Sequence, residues 1–208
     1  MKMRLSMIVL ISFLASTALA GEVVERIAAI VNGQIILLSD IKRYQLFFEP
    51  PEERGSDSKT ARLRRLDQLI HHQLLRAEAR RFVLEGPSQE EVAARLRSVR
   101  QRFKHKRGFQ KAMDQTGLQV EKLKEEIREH LWVESLIRER IEAFIFIDPK
   151  AVEQYYRKHA EAFDGKKLET VAPDIRKILI DEKEAGKKRE YLTRLRSQAD
   201  IEIRLTTR

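Results

Sequence analysis

Two apolar runs meet at an Asn-Gly pair near the start of the chain. Residues 23–31 read VVERIAAIV and residues 34–38 read QIILL, with Asn32-Gly33 between them. Both residues of a two-residue hairpin turn must accept positive φ, which Asn and Gly do at least cost, so this pattern predicts a β-hairpin. Near the other end, residues 200–205 (DIEIRL) alternate Ile201, Ile203 and Leu205 against Glu202 and Arg204, as a half-buried strand does. An isolated hairpin is marginal in water. The economical arrangement is a mainly α fold, in which several helices carry one small sheet made of the N-terminal hairpin and the C-terminal strand.

The intervening residues read as helices. Ser39 or Asp40 can cap a helix over 41–48, which Glu49-Pro50-Pro51 ends. Leu63, Leu66, Ile70, Leu74 and Ala77 step by three and four along a long second helix. Gly86-Pro87 breaks it, and Ser88 with Glu91 forms a capping-box pattern before Val92, Leu96, Val99 and Phe103. A short helix over 109–113 stops at Thr116-Gly117, and a long one follows over 120–143. After the apolar link 144–147, Asp148-Pro149 opens another helix, with Asp as cap and Pro at the first position. A last helix spans about 171–198. No internal repeat is visible.

The first twenty residues carry a different signal. Lys2 and Arg4 precede an apolar run over 7–14, and Ala18-Leu19-Ala20 fits the small-x-small rule, so cleavage is expected between Ala20 and Gly21. The apolar run is shorter than the roughly 20 residues that a spanning helix needs. No second stretch of the chain is apolar enough to span a bilayer. The leader implies export from the cytoplasm, and the periplasm is the expected compartment. Loss of Lys2 and Arg4 with it lowers the formal charge from +9 to +7. Acidic residues, 32 of them, are interleaved with 41 basic ones, which marks solvated helix surfaces rather than a nucleic-acid stripe. The sequence holds no cysteine, so neither disulfides nor thiolate metal sites stabilise it, and packing must do so.

No catalytic, cofactor or metal site is recognisable. His71 and His72 are helix neighbours pointing about 100° apart, a poor arrangement for one metal ion. His105 lies in a basic stretch, and His159 sits on an apolar face where a satisfied buried histidine is the ordinary occupant. There is no Gly-rich phosphate loop and no serine in a nucleophile-elbow setting. Residues that can meet an apolar partner are Phe47 and Phe48 at the end of the first helix, and Trp132, Phe144 and Phe146 further on. Core packing is the first reading for Trp132, Phe144 and Phe146. For Phe47 and Phe48 core packing and client contact stand level, because the helix ends there.

Four segments, taken in order, resemble the SurA family of periplasmic chaperones: 24–41 (VERIAAIVNGQIILLSDI), 66–82 (LDQLIHHQLLRAEARRF), 88–142 with its Thr116-Gly117-Leu118 step, and 147–163 (IDPKAVEQYYRKHAEAF). The resemblance implies a leader over 1–20, a SurA N-terminal-like chaperone domain over 21–163, and a C-terminal helix and strand over 164–208 that complete the same domain. It also implies an ATP-independent holdase for unfolded polypeptides, outer-membrane proteins above all. The parvulin isomerase module that the family carries after this point is missing. Phe163 is followed at once by Asp164-Gly165-Lys166-Lys167, and residues 176–180 (RKILI) lack the histidine of the parvulin strand. A non-enzyme is therefore expected. The alternatives are a peptidyl-prolyl isomerase, or an assembly factor dedicated to one envelope complex.

Overall fold

The computed structural model describes residues 25–50, 53–54, 57–83, 85–103 and 105–205. The leader and its cleavage position at Ala20 and Gly21 lie outside the described residues. The chain is mainly helical, with seven α-helices among the described residues and one three-stranded antiparallel sheet.

The hairpin pairs β1 (Ile27–Val31) with β2 (Gln34–Leu37), and Val31 faces Gln34 across the turn. Asn32 and Gly33 both have positive φ, as a two-residue turn of this hand demands. β3 (Ile201–Ile203) adds to the other side of β1, giving the order β2-β1-β3. Asn32 also fastens the two chain ends together. Its N–H donates to the Asp200 carbonyl at 2.8 Å, and its Oδ1 accepts from the Asp200 N–H at 2.9 Å.

β2 runs directly into α1 (Leu38–Arg43). The cap differs from the expectation. Asp40 sits inside the first turn and accepts from the Leu37 N–H at 2.7 Å, while the Ser39 hydroxyl donates to Glu25 at 3.1 Å. A π-helical turn, Tyr44–Phe48, then replaces the expected second half of this helix. Next come α2 (Lys59–Phe82), α3 (Gln89–Gln101), α4 (Lys106–Thr116) and α5 (Val120–Arg140). Ser88 and Glu91 exchange both capping-box hydrogen bonds, at 2.8 and 3.2 Å.

α2 is the central helix. Leu66, Ile70 and Leu74 pack under the sheet against Ala29, Val31 and Ile36. Leu75 and Ala79 face Val133, Leu136 and Ile137 of α5. Leu63 and Ala77, expected on the same apolar face, are exposed, because the buried stripe bends between these two partners. A second core holds Val92, Leu96, Val99, Leu123 and Ile127, together with Phe47.

α6 (Pro149–Lys158) starts at Asp148, whose carboxylate accepts from the Lys150 N–H at 2.9 Å. α7 (Leu168–Ser197) has 30 residues and is about 45 Å long at 1.5 Å per residue. Its first turns bury Val171 and Ile175 against Val152 of α6. Its last turns place Leu192, Tyr191 and Leu195 against α2 and α5. The stretch 176–190 between these two contacts is almost wholly exposed. α6 and the start of α7 thus form an arm with its own small core, joined to the body by the link 144–147 and by one solvated helix. Among the described residues no helix is long and apolar enough to cross a membrane.

Candidate functional site

The five aromatic residues singled out above have separate fates. Phe47 is fully buried in the second core, with its ring 6.1 Å from those of Phe103 and Phe109. It is not available to a partner in this conformation, because the π-turn directs it inward. Phe48 is half-buried and stacks on His130 at 3.9 Å between ring centres. Trp132 is half-buried and structural. Its indole N–H donates to the Val83 carbonyl at 3.1 Å, and its ring covers Gly86, where a β-carbon would come within 3.4 Å.

Phe144 and Phe146 overturn the core-packing reading. They are 77% and 73% exposed. A short 3-10 turn, Glu142–Phe144, ends the α5 region, and the link beyond it is extended. Alternate side chains of an extended link point to opposite sides. Ile145 therefore packs on the body and Ile147 on the arm, which leaves the Phe146 ring in water, and Phe144 at the end of the turn is exposed as well. The Lys183 ammonium holds the link to α7 by donating to the Phe146 carbonyl at 2.9 Å. Beside it Ile145, Phe146, Ile147, Pro149, Arg176 and Ile180 line an open groove of about 360 Å³. Ile178 and Ile180 of α7 are themselves exposed. The result is an apolar strip on the hinge between body and arm, surrounded by charged helix surface.

A larger cleft, about 510 Å³, lies between β2, α1, α2 and α5. Its wall contains a stack of three rings, Phe48 on His130 and His130 on His72, each step 3.9 Å. Burial is the main cause that pushes His72 down to about 4, with the Arg76 charge adding to it. Burial likewise holds His130 well below the ordinary histidine value, helped by His72 and Arg95. Both rings are therefore neutral at pH 7. His72 Nε2 is shut off from solvent and has no hydrogen-bond partner among the described residues.

The charges around the cleft are largely matched. Arg43 pairs with Asp40 and with Glu126 at 3.2 Å, Arg80 with Glu129, and Lys122 with Glu125 at 2.8 Å. Desolvation raises the Glu126 carboxyl above its ordinary value. A cleft so neutralised has little field for a phosphate. Among the described residues no group of three or more His, Asp or Glu side chains is placed to hold a metal ion.

The ring stack was beyond sequence reasoning, since nothing in 72 or 130 signals that they meet across two helices. The buried Glu49–Arg65 pair, at 2.9 Å, was missed for the same reason. No protein-family model matches the chain, and no curated protein matches its sequence.

Proposed function

We propose that the protein is an ATP-independent holdase that works in the periplasm and binds unfolded polypeptides, with outer-membrane proteins as its main clients. The observation that carries this reading is the exposure of Phe144 and Phe146 on an apolar strip. Two large rings held in water two residues apart mark a contact surface. The open groove beside them suits irregular apolar segments better than one shaped ligand. The exposed, charge-rich helices around the strip keep it soluble. The segment order that resembles SurA chaperones supports the same reading.

The test is light scattering of a denatured outer-membrane protein diluted with and without a several-fold molar excess of this protein. Aggregation is suppressed by the natural protein. The Phe144→Ser, Phe146→Ser double variant loses most of the suppression while its circular dichroism is unchanged, because both side chains are exposed. Absence of suppression across several unrelated clients would favour a dedicated assembly partner, and full activity of the double variant would move the site elsewhere. In this reading the protein is not an enzyme. A protease-coupled proline-peptide assay is expected to run at the uncatalysed rate, and acceleration by the pure protein would reject that expectation.

A further inference from the structure

The two edges of the small sheet carry different contacts. β2, one edge, runs directly into α1 and touches α2 through Gln34, with Gln34 and Ile35 exposed. The Leu37 N–H is taken by Asp40, and the Gln34 side chain accepts from Gln73 and Arg76 of α2, both at 3.0 Å. β3, the other edge, has no strand beyond it among the described residues. An uncovered edge strand is a template for another chain.

The hydrogen bonds to β1 fix which groups of β3 face outward. Asn32 N–H donates to the Asp200 carbonyl and Arg204 N–H to the Ala28 carbonyl. Residues 200 and 204 thus turn their backbone groups toward β1, as does Glu202, which lies opposite Ile30, and the Leu205 N–H also donates to the Ala28 carbonyl at 2.9 Å, so the outward-facing groups end at Ile203. By the alternation of an antiparallel ladder, the N–H and C=O groups of Ile201 and Ile203 point away from the sheet. Ile203 also lies across from Ala29 and so shares the face of the sheet on which Ala29 and Ile36 are buried, yet it is itself 55% exposed. The core-facing layer stops one strand short of covering it.

We propose that the strand missing from this edge is β3 of a second copy of the same chain, paired antiparallel about a two-fold axis at Ile203. The charges select this partner and this register. With Ile203 opposite Ile203, each Glu202 lies opposite the Arg204 of the other copy. Sliding the pairing by one step of the ladder in either direction sets Glu202 against Glu202, or Arg204 against Arg204. Opposite charges directly across strands are favourable and like charges unfavourable, so the sequence Glu-Ile-Arg is self-complementary in one register only. In the single chain Glu202 and Arg204 already pair with each other, at 2.8 and 2.9 Å, on the exposed face of the strand. Pairing across copies extends that pair into a four-charge row and packs the two Ile203 side chains together. The product is a continuous six-stranded sheet with an isologous interface. Such a short edge buries little area, which gives a weak, concentration-dependent dimer.

Sedimentation equilibrium of the purified protein tests this, with the variants Glu202→Arg and Arg204→Glu. The natural protein is expected to dimerise with a dissociation constant on the order of 100 μM, as befits a small interface. Each single variant sets like charges across the axis and weakens dimerisation by at least about tenfold, while circular dichroism stays unchanged because both side chains are exposed. One variant carries arginine at both positions 202 and 204, and the other carries glutamate at both. Mixing the two one to one therefore sets every arginine of one copy opposite a glutamate of the other, and restores the dimer. No effect confined to one chain produces that restoration. A natural protein that stays monomeric to about 1 mM overturns the proposal. So do single variants that dimerise like the natural protein, or a mixture that stays monomeric. If an added extended peptide, and not a second copy, protects the Ile203 N–H from hydrogen exchange, the edge serves a client and the self-pairing is wrong.

Discussion

Glu49→Ala is expected to lower the unfolding free energy by about 3–5 kcal/mol, a large share of the total for a domain of this size. Glu49 and Arg65 are each 1% exposed, and their side chains meet at 2.9 Å. The second Glu49 oxygen accepts from Arg64 at 3.0 Å. The Glu49 backbone closes the π-turn through its N–H to the Tyr44 carbonyl, and its own carbonyl accepts from Arg54 Nε at 3.0 Å. This one residue therefore ties the end of the first helical segment to the start of α2. Removing the carboxylate takes from a buried guanidinium the partner it meets at 2.9 Å, while the Asp57 carboxylate at 4.0 Å is exposed. Removing one member of a buried ion pair costs more than the pair was worth. Glu49→Leu combined with Arg65→Met is thus expected to recover most of the loss. Urea denaturation of the two single variants and the double variant checks this. A loss below about 1 kcal/mol in Glu49→Ala would show that Arg65 re-pairs with Asp57, and that the buried pair does not hold the turn.

Signals that act within one turn of chain are legible without coordinates. Asn32-Gly33 specifies its hairpin through positive φ, Ser88 and Glu91 their reciprocal cap, and Asp148-Pro149 its helix start. The strand over 201–203 was legible from its alternation, and its place beside β1 followed from the lack of another partner. What depends on meetings between distant segments was not legible. Glu49 stands in a Glu-Pro-Pro break and reads as a loop acid, and only the π-turn reveals that its side chain turns inward. Phe47 and Phe48 are adjacent and chemically identical, yet one lies in the core and the other on a cleft wall, which a fraction of a helical turn decides. In residues 144–147 the composition suggests burial throughout, whereas Phe144 closes a short 3-10 turn on its exposed side and the extended backbone after it turns Ile145 and Ile147 inward and Phe146 outward. The strip that carries the proposed function is visible only once the link is known to be extended rather than helical.

Acid is expected to loosen the joint between α2 and α5, and the wall of the larger cleft with it. His72 titrates at about 4 in the folded chain against an ordinary value of 6.5. Above pH 6.5 its ring is neutral in both folded and unfolded states. As the pH falls from 6.5 toward 4 the unfolded chain takes up a proton that the buried ring refuses, so stability is lost through this window and the loss is complete below 4. For His72 alone the loss amounts to about 2 kcal/mol at pH 5, taken from that shift. His130 is displaced in the same direction and adds to it. Protonating both would set two like charges in rings 3.9 Å apart. Arg76 on α2 and Arg95 on α3 would add to the repulsion. The facing groups include acids that respond oppositely. Glu126, raised by burial, gains stability as it protonates and offsets part of the loss at the acid end. Glu129 is engaged by Arg76 and Arg80, and Glu134 by Arg95, so neither acid is free to follow a new imidazolium without breaking an existing pair. Asp40 and Arg43 of α1 are paired with each other, and the Tyr44 hydroxyl stays protonated throughout because burial raises it further. Melting temperature measured from pH 7.5 to 4.5 should fall by several degrees, about 2–4 °C for each kcal/mol lost. The His72→Phe, His130→Phe double variant keeps a stack of rings without a titrating group. Its melting temperature should fall much less between pH 7 and 5, with the remainder due to His71, which burial also lowers, and a slope equal to that of the natural protein would remove the histidine pair as the cause.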